Sequence, residues 1–289
     1  MMKHAYLILA HNQFEVLEFL VTALDDTRND IYIHFDAKVK TLPKVHVNKA
    51  GLYILEDRTD VRWGDISVVE AELKLFEKAQ QIQNYSYYHL LSGVDIPLKS
   101  QDYIHQFFAK HRGKEFIGYS KGDSSDHIER KVRRYHAFPR DFRPSNSAGN
   151  LIKKSIRFAA LRLQFLLGIK RNQNINFKKG TQWISLTNSF VSYLLSQKID
   201  ILKIYKNTFC ADEIVVQTVC WNSKFREAIF NTDDEALGSQ RMIRWINNQI
   251  YDWELEDLNI LQSSNLLFAR KFNNRDTQLL EQLTNHISN

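Results

Sequence analysis

Apolar positions fall along the first hundred residues in two alternating rhythms. Residues 5–10, Ala-Tyr-Leu-Ile-Leu-Ala, form an unbroken apolar run, too short for a helix and suited to a strand covered on both faces of a parallel sheet. Residues 15–24 then place Val16, Leu17, Leu20, Val21 and Leu24 on one side of a helix. Residues 30–35 are rich in β-formers and end at Asp36, and 52–55 form another short run. Val68, Ala71, Leu75 and Ala79 recur at helical spacing within 67–81, and 87–91 return to strand. This order predicts an α/β fold, with right-handed βαβ units around a mostly parallel central sheet flanked by helices. In such sheets ligands collect beyond the carboxyl ends of the strands. Asp36, the Trp63-Gly64 corner and the Ser92-Gly93-Val94-Asp95 turn fall at those ends.

Residues 121–179 break the rhythm: they are polar, basic and poor in strand signals. Within 152–171 stand Lys153, Lys154, Arg157, Arg162, Lys170 and Arg171, with no acid, among Ile156, Leu161, Leu163, Phe165, Leu166 and Leu167. Two readings fit. One is a basic amphipathic helix lying on an anionic membrane. The other is a helix packed on the sheet by its apolar stripe, its cations solvated. Order returns beyond residue 180. Residues 182–186 read as a strand, 190–195 begin a helix, Asp212-Glu213 open a helix running to Trp221, and a final helix starts at Thr277.

Composition narrows the classes. Hydrophobic residues make up 44% and charged residues 25%, with 10 Gly and 4 Pro, which excludes collagen-like, low-complexity and disulfide-scaffold proteins. Lys+Arg 39 against Asp+Glu 33 leaves +6, a balance that admits a polyanionic partner without requiring one. Two cysteines, Cys210 and Cys220, neither staple such a chain nor make a metal pattern, so reduced thiols in a cytoplasmic protein are expected. The 10 histidines show no tight ligand spacing, and no dedicated metal site is expected. The amino-terminal apolar run is too short for a secretory leader and runs straight into His11-Asn12-Gln13. No run approaches the ~18 apolar residues that span a bilayer.

Several fingerprints are absent: GxGxxG, the P-loop, HExxH and GxSxG. The basic stretch lacks a helix-turn-helix or RNP-like setting, so no nucleic-acid partner is expected. Asp212-Glu213 has two readings. Carboxylates at a helix start favour free N–H groups and the helix dipole by about 0.3–1 kcal/mol, or one of them is a general base. Adjacent helical residues cannot face the same way, so one would enter a cleft while the other caps. Asp95 is either a turn former or a strand-end ligand contact. Lys271 and Arg241, taken singly, read as ordinary surface cations.

Taken together, seven segments resemble the core-2/I-branching β-1,6-N-acetylglucosaminyltransferases, glycosyltransferase family 14, which also holds peptide O-xylosyltransferases. They are residues 5–11 (AYLILAH), 31–38 (IYIHFDAK), 61–64 (VRWG), 88–98 (YHLLSGVDIPL), 180–183 (GTQW), 211–213 (ADE) and 267–272 (LFARKF). Each is weak alone; together they keep the family's order over nearly the whole chain. The resemblance implies a GT-A-like nucleotide-sugar fold and inverting transfer from a UDP-sugar, most simply UDP-N-acetylglucosamine; the alternatives are UDP-xylose or another UDP-hexose with the same machinery, or a nucleotide-sugar or glycan binding module that has lost catalysis. It implies one domain over 1–289. In it, 1–120 form a nucleotide-binding half, 121–179 a basic, variable insert facing acceptor or membrane, and 180–289 a catalytic half with a diphosphate-binding end.

Carried over position by position, Glu213 matches the family's catalytic base, which must reach the acceptor hydroxyl as it attacks the anomeric carbon. Lys271 matches the lysine on the leaving diphosphate. Arg241, with Arg244 as its rival, matches the arginine beside it. Two fixed cations would do there what a divalent ion does elsewhere, so the resemblance implies metal independence. Asp36, Trp63 and Gly64 match the nucleoside pocket. Arg130 resembles an acceptor-side arginine, Trp183 a sugar-stacking wall, and Asp95 and Asp212 further substrate contacts. The animal enzymes carry an anchor, a stem and several disulfides. Against them this chain reads as a cytoplasmic, bacterial version acting on a surface-polysaccharide or lipid-linked oligosaccharide acceptor, with residues 152–171 as the candidate contact with the inner leaflet.

Overall fold

In the computed structural model, which describes residues 3–121, 125–143 and 147–288, the early apolar runs are strands. They are β1 (His4–Ala10), β2 (Asn29–Phe35), β3 (Gly51–Ile54) and β4 (Tyr87–Ser92). β2 and β4 are buried throughout and β1 at all positions but Leu9, as strands covered on both faces must be. The main sheet has the order β3-β2-β1-β4-β6, in which the first four strands run parallel. β6 (Ser185–Thr187) closes it antiparallel to β4. A second sheet joins β5 (Asp95–Pro97), β7 (Arg241–Ile243) and β10 (Phe268–Arg270) in the order β5-β10-β7. β8 (Trp245–Ile246) and β9 (Gln249–Ile250) form a small hairpin.

Helices cover both faces of the main sheet. α1 (Phe14–Leu24) buries Val16, Leu17, Leu20, Val21 and Leu24. With α3 (Gln101–Lys110), α10 (Leu258–Ser263) and α11 (Thr277–Ser288) it packs on Tyr6, Ile8, Ile31 and Ile33. The opposite face, with Leu7, Tyr32, Tyr88 and Leu90, is covered by α2 (Ser67–Ile82), α6 (Asn188–Ser196), α7 (Lys198–Tyr205) and α8 (Val215–Trp221). In α2, Val68, Ala71, Leu75 and Ala79 are all buried. α4 (Ser125–Val132), α5 (Ala148–Leu166) and the short α9 (Glu235–Ser239) complete the chain.

Three expectations need correction. The strand expected over 182–186 pairs only at β6, because the segment before it is held crosswise: Gly180 N donates to Glu213 O and Gln217 Nε2 to Thr181 O. Asp212-Glu213 do not open a regular helix. They sit in a 3-10 turn, Ala211–Glu213, and α8 starts only at Val215, since Glu213 O is already taken by Gly180. The reading of 152–171 as a helix packed on the sheet by its apolar stripe also fails. Gln164 is the buried residue of α5, whereas Phe165 and Leu166 are exposed.

Candidate active site

Chain segments that are distant in sequence converge beyond the carboxyl ends of β1, β2 and β4. Cys210 adopts a left-handed backbone (φ 51°) and its N–H donates to Gly64 O at 2.9 Å. This turns the Ala211–Glu213 loop toward the 61–64 corner. Gly180 must be glycine: a Cβ there would stand 1.8 Å from Gly118 O. The close approach lets the 180–183 segment pass between Glu213 and the second sheet.

Within that loop the two carboxylates separate. Glu213 is partly open, and its Oε2 lies 3.4 Å from Lys131 Nζ and 3.5 Å from Lys179 Nζ. Lys131 is buried in α4 and its ammonium rests 5.4 Å from the centre of the Phe209 ring. Asp212 turns the other way. Its Oδ1 is shut off from solvent without a hydrogen-bond partner among the described residues. Burial, and then the charge of Glu213, raise its pKa well above the usual carboxylate range. Close by, Glu72 of α2 is buried and accepts from Gln182 Nε2 at 2.6 Å; burial and the charge of Asp212 push its carboxyl up as well. One carboxylate thus stands between two cations, while burial shifts two neighbouring carboxyls toward protonation.

The residues matched to the nucleoside pocket lie on the same side. Asp36 is buried at the end of β2 and accepts from Lys38 N and Lys38 Nζ. The same ammonium reaches Val61 O and Asp60, bridging Asp36 to the loop that carries Trp63. Trp63 is 55% exposed, so its face is open to a flat ligand, and its edge contacts Phe209. Gly64 has φ 76°, and a Cβ would strike Phe209 at 2.8 Å, so only glycine lets the corner pack there.

The opposite wall is built from β5 and β10. Asp95 is buried and accepts from Ser92 N at 2.9 Å and Arg270 Nη1 at 2.9 Å. Burial raises its pKa against the opposing pull of Arg270. The Arg270 guanidinium lies 4.3 Å over the Trp183 ring, so Trp183 is roofed by a cation and buried. Lys271, beside it, is a third exposed and pairs with Asp252 at 3.0 Å.

The remaining matched residues take different places. Arg241 is 2% exposed and donates inward, from Nη1 to Ser239 O and from Nη2 to Ile184 O and Ser185 Oγ. Its rival Arg244 is exposed, paired with Asp257 at 3.1 Å and stacked on Tyr251, whose carbonyl accepts from Lys271 N. Arg130 is exposed on α4, and Lys131 rather than Arg130 meets Glu213. Sequence reasoning passed over Lys131, Lys179, Lys38, Glu72 and Arg270. Arg270 and Lys38 carried a signal, as members of the 267–272 and 31–38 segments, and Lys131 as the neighbour of Arg130. Among the described residues, no three His, Cys, Asp or Glu side chains assemble as a metal site.

The chain is 23% identical over 308 residues to xylosyltransferase 2 of dog (Canis lupus familiaris) and, to the same extent, of human (Homo sapiens). Each alignment covers 98% of this chain, which spans about a third (33%) of those relatives' length. Among solved structures, mouse xyloside xylosyltransferase 1 in its apo form aligns with a TM-score of 0.37 at 9% identity, covering 92% of this chain and 97% of that one. The family model described as Core-2/I-Branching enzyme matches residues 4–259. The chain therefore belongs to the Core-2/I-branching enzyme family of glycosyltransferases.

Proposed function

We propose that the protein is an inverting transferase that moves a sugar from a UDP-sugar to a hydroxyl of a glycan acceptor, with Glu213 as general base. The observation that carries this reading is the different setting of the two carboxylates: Glu213 Oε2 stands between Lys131 and Lys179, and Asp212 Oδ1 is shut off from solvent. Glu213 takes the proton of the acceptor hydroxyl while that oxygen bonds to the anomeric carbon. The carbon–oxygen bond to UDP breaks, its electron pair stays on the diphosphate, and a β-linkage results. Lys271, with the exposed Arg244 as its partner, balances the developing charge, and no divalent ion is required. Trp63 stacks on the uracil and Asp36 binds the ribose or base.

UDP-N-acetylglucosamine is the first donor to test. The relatives named as xylosyltransferases favour UDP-xylose as the second. The acceptor belongs to a surface polysaccharide or lipid-linked oligosaccharide of a bacterium. Two buried, unpaired cysteines support a reducing, cytoplasmic setting.

Glu213→Gln tests the assignment. General-base catalysis contributes about 10²–10⁴-fold, so turnover falls by at least about a hundredfold while UDP-sugar affinity stays within about twofold. If most of the rate survives, Glu213 is only a loop carboxylate. Calorimetric titration of UDP-N-acetylglucosamine and UDP-xylose in excess EDTA tests the donor and the metal. Binding supports the metal-free reading, whereas recovery only with Mn²⁺ overturns it.

A further inference from the structure

α5 is attached to the body of the protein by the wrong side for an ordinary surface helix. Gln164 exchanges two hydrogen bonds with the backbone of Tyr135, accepting from its N at 2.8 Å and donating to its O at 2.9 Å. Arg157 donates to the carbonyls of Ala137, Phe138 and Asp141, and Lys153 pairs with Asp141 at 2.8 Å. Polar side chains therefore face the protein. Ile152, Phe158, Leu163, Phe165, Leu166 and Leu167, by contrast, are between 56% and 79% exposed. A surface helix normally buries its apolar stripe and solvates its cations; this one is inverted. A contiguous apolar face of this kind marks a contact surface.

Charge identifies the occupant. Residues 148–171 hold six cations and no acid. Lys153, Arg157 and Arg171 are drawn inward, which leaves Lys154, Arg162 and Lys170 exposed along the apolar face. Arg162 lies 5.3 Å from the centre of the Phe158 ring, and Arg134 lies 6.0 Å from that of Phe165. Cations set among exposed rings, with no carboxylate in the segment to answer them, would repel a second copy of the same face. They suit anionic headgroups above an acyl layer. Among the described residues no helix is long and apolar enough to cross a membrane.

We infer that α5 is an in-plane anchor, its Ile152–Leu167 apolar face entering an anionic lipid surface with Lys154, Arg162 and Lys170 at headgroup level. Tyr135, which α5 grips, follows α4, and α4 carries Lys131 to Glu213. α5 is thus linked through Tyr135 and α4 to the candidate site. This inference stands apart from the donor and acceptor reading, because vesicle binding is measured without catalysis.

Co-sedimentation tests it, using vesicles of phosphatidylcholine with and without phosphatidylglycerol. The protein should partition onto the anionic vesicles and hardly onto pure phosphatidylcholine. The exposed pair Leu163→Ser/Leu166→Ser should lower the partition coefficient at least about tenfold, and Lys154→Glu/Arg162→Glu should remove the dependence on lipid charge. Circular dichroism melts check that each variant stays folded. No binding of the parent protein at low salt, or equal binding of the leucine variant, overturns the inference. So does a dimer in light scattering that the leucine variant dissolves, which would make the face an interface between copies.

Discussion

Arg241 offers the sharpest contrast between a residue's match to the family and its place in the fold. The resemblance puts it on the leaving diphosphate, whereas the structure buries its guanidinium against Ser239 O, Ile184 O and Ser185 Oγ and 4.3 Å from the Phe268 ring centre. Arg241→Met keeps the volume and removes the donors. Ile184 O retains a bond from Leu90 N and Ser185 Oγ one with His89 Nδ1, so one acceptor, Ser239 O, loses its partner, at about 1.5 kcal/mol. The lost cation–π contact adds about 2 kcal/mol. Against this, burial pulls the arginine down to about 10. Relieving that desolvation returns about 3 kcal/mol, at 1.36 kcal/mol per pKa unit. The net is about 0.5 kcal/mol of destabilisation, a fall in Tm of about 1 °C for a chain of this size. Thermal melts read the stability and calorimetry reads UDP binding, which should stay within about twofold. A tenfold loss of UDP affinity with the fold intact would refute the placement and return Arg241 to the diphosphate.

Five other substitutions probe different parts of the argument. Gly180→Ala puts a Cβ 1.8 Å from Gly118 O and should collapse soluble yield or Tm. Gly149→Ala, which meets nothing within 4 Å on α5, should gain up to about 1 kcal/mol in the same melts. Glu115, which accepts from Thr187 N and Oγ1, is raised by burial to about 7. The folded state therefore holds its proton where the unfolded chain has lost it, and stability from this group is full below about pH 4.5 and drains away as pH rises to about 7. Urea midpoints of Glu115→Gln should fall less than those of the parent between pH 5 and 8; parallel curves would sink the assignment. Lys131→Met should lower kcat/KM about tenfold, since it leaves Glu213 with one of its two cations, partly screened by solvent. Arg130→Met should change it less than twofold, and equal effects would show that α4 is rotated from the position described.

The elements legible in the sequence are those whose burial follows from local period. β1, β2 and β4 are unbroken apolar runs because both faces are covered, and α1 and α2 carry the stripes that bury them. The pattern fails where a long-range hydrogen bond overrides it. Residues 182–184 have strand composition, yet Glu213 and Gln217 hold the chain just before them and pairing begins only at Ser185. α5 fails differently. Its period is helical and was readable, but periodicity says only that two faces differ. Which face meets the protein was decided by Gln164 and Arg157, whose partners are backbone groups of 135–141 that no side-chain pattern records.

The candidate site shows the same division one level up. Residue types at strand ends were visible, and the Asp212–Glu213 pair had to split because neighbours diverge on a tight turn. The split could not be directed from sequence, because it depends on Glu72 and Gln182 lying beneath one carboxylate and on Lys131 and Lys179 flanking the other. Three backbone hydrogen bonds make that arrangement: Cys210 N to Gly64 O, Gly180 N to Glu213 O, and Phe272 N to Val94 O. Each ties segments more than thirty positions apart, and each is blind to side-chain identity except where glycine is required, at Gly64 and Gly180. The charged groups of the cleft are interchangeable with many others in the chain until those three bonds are made. Lys131, one position from the matched arginine, then becomes the group that meets Glu213.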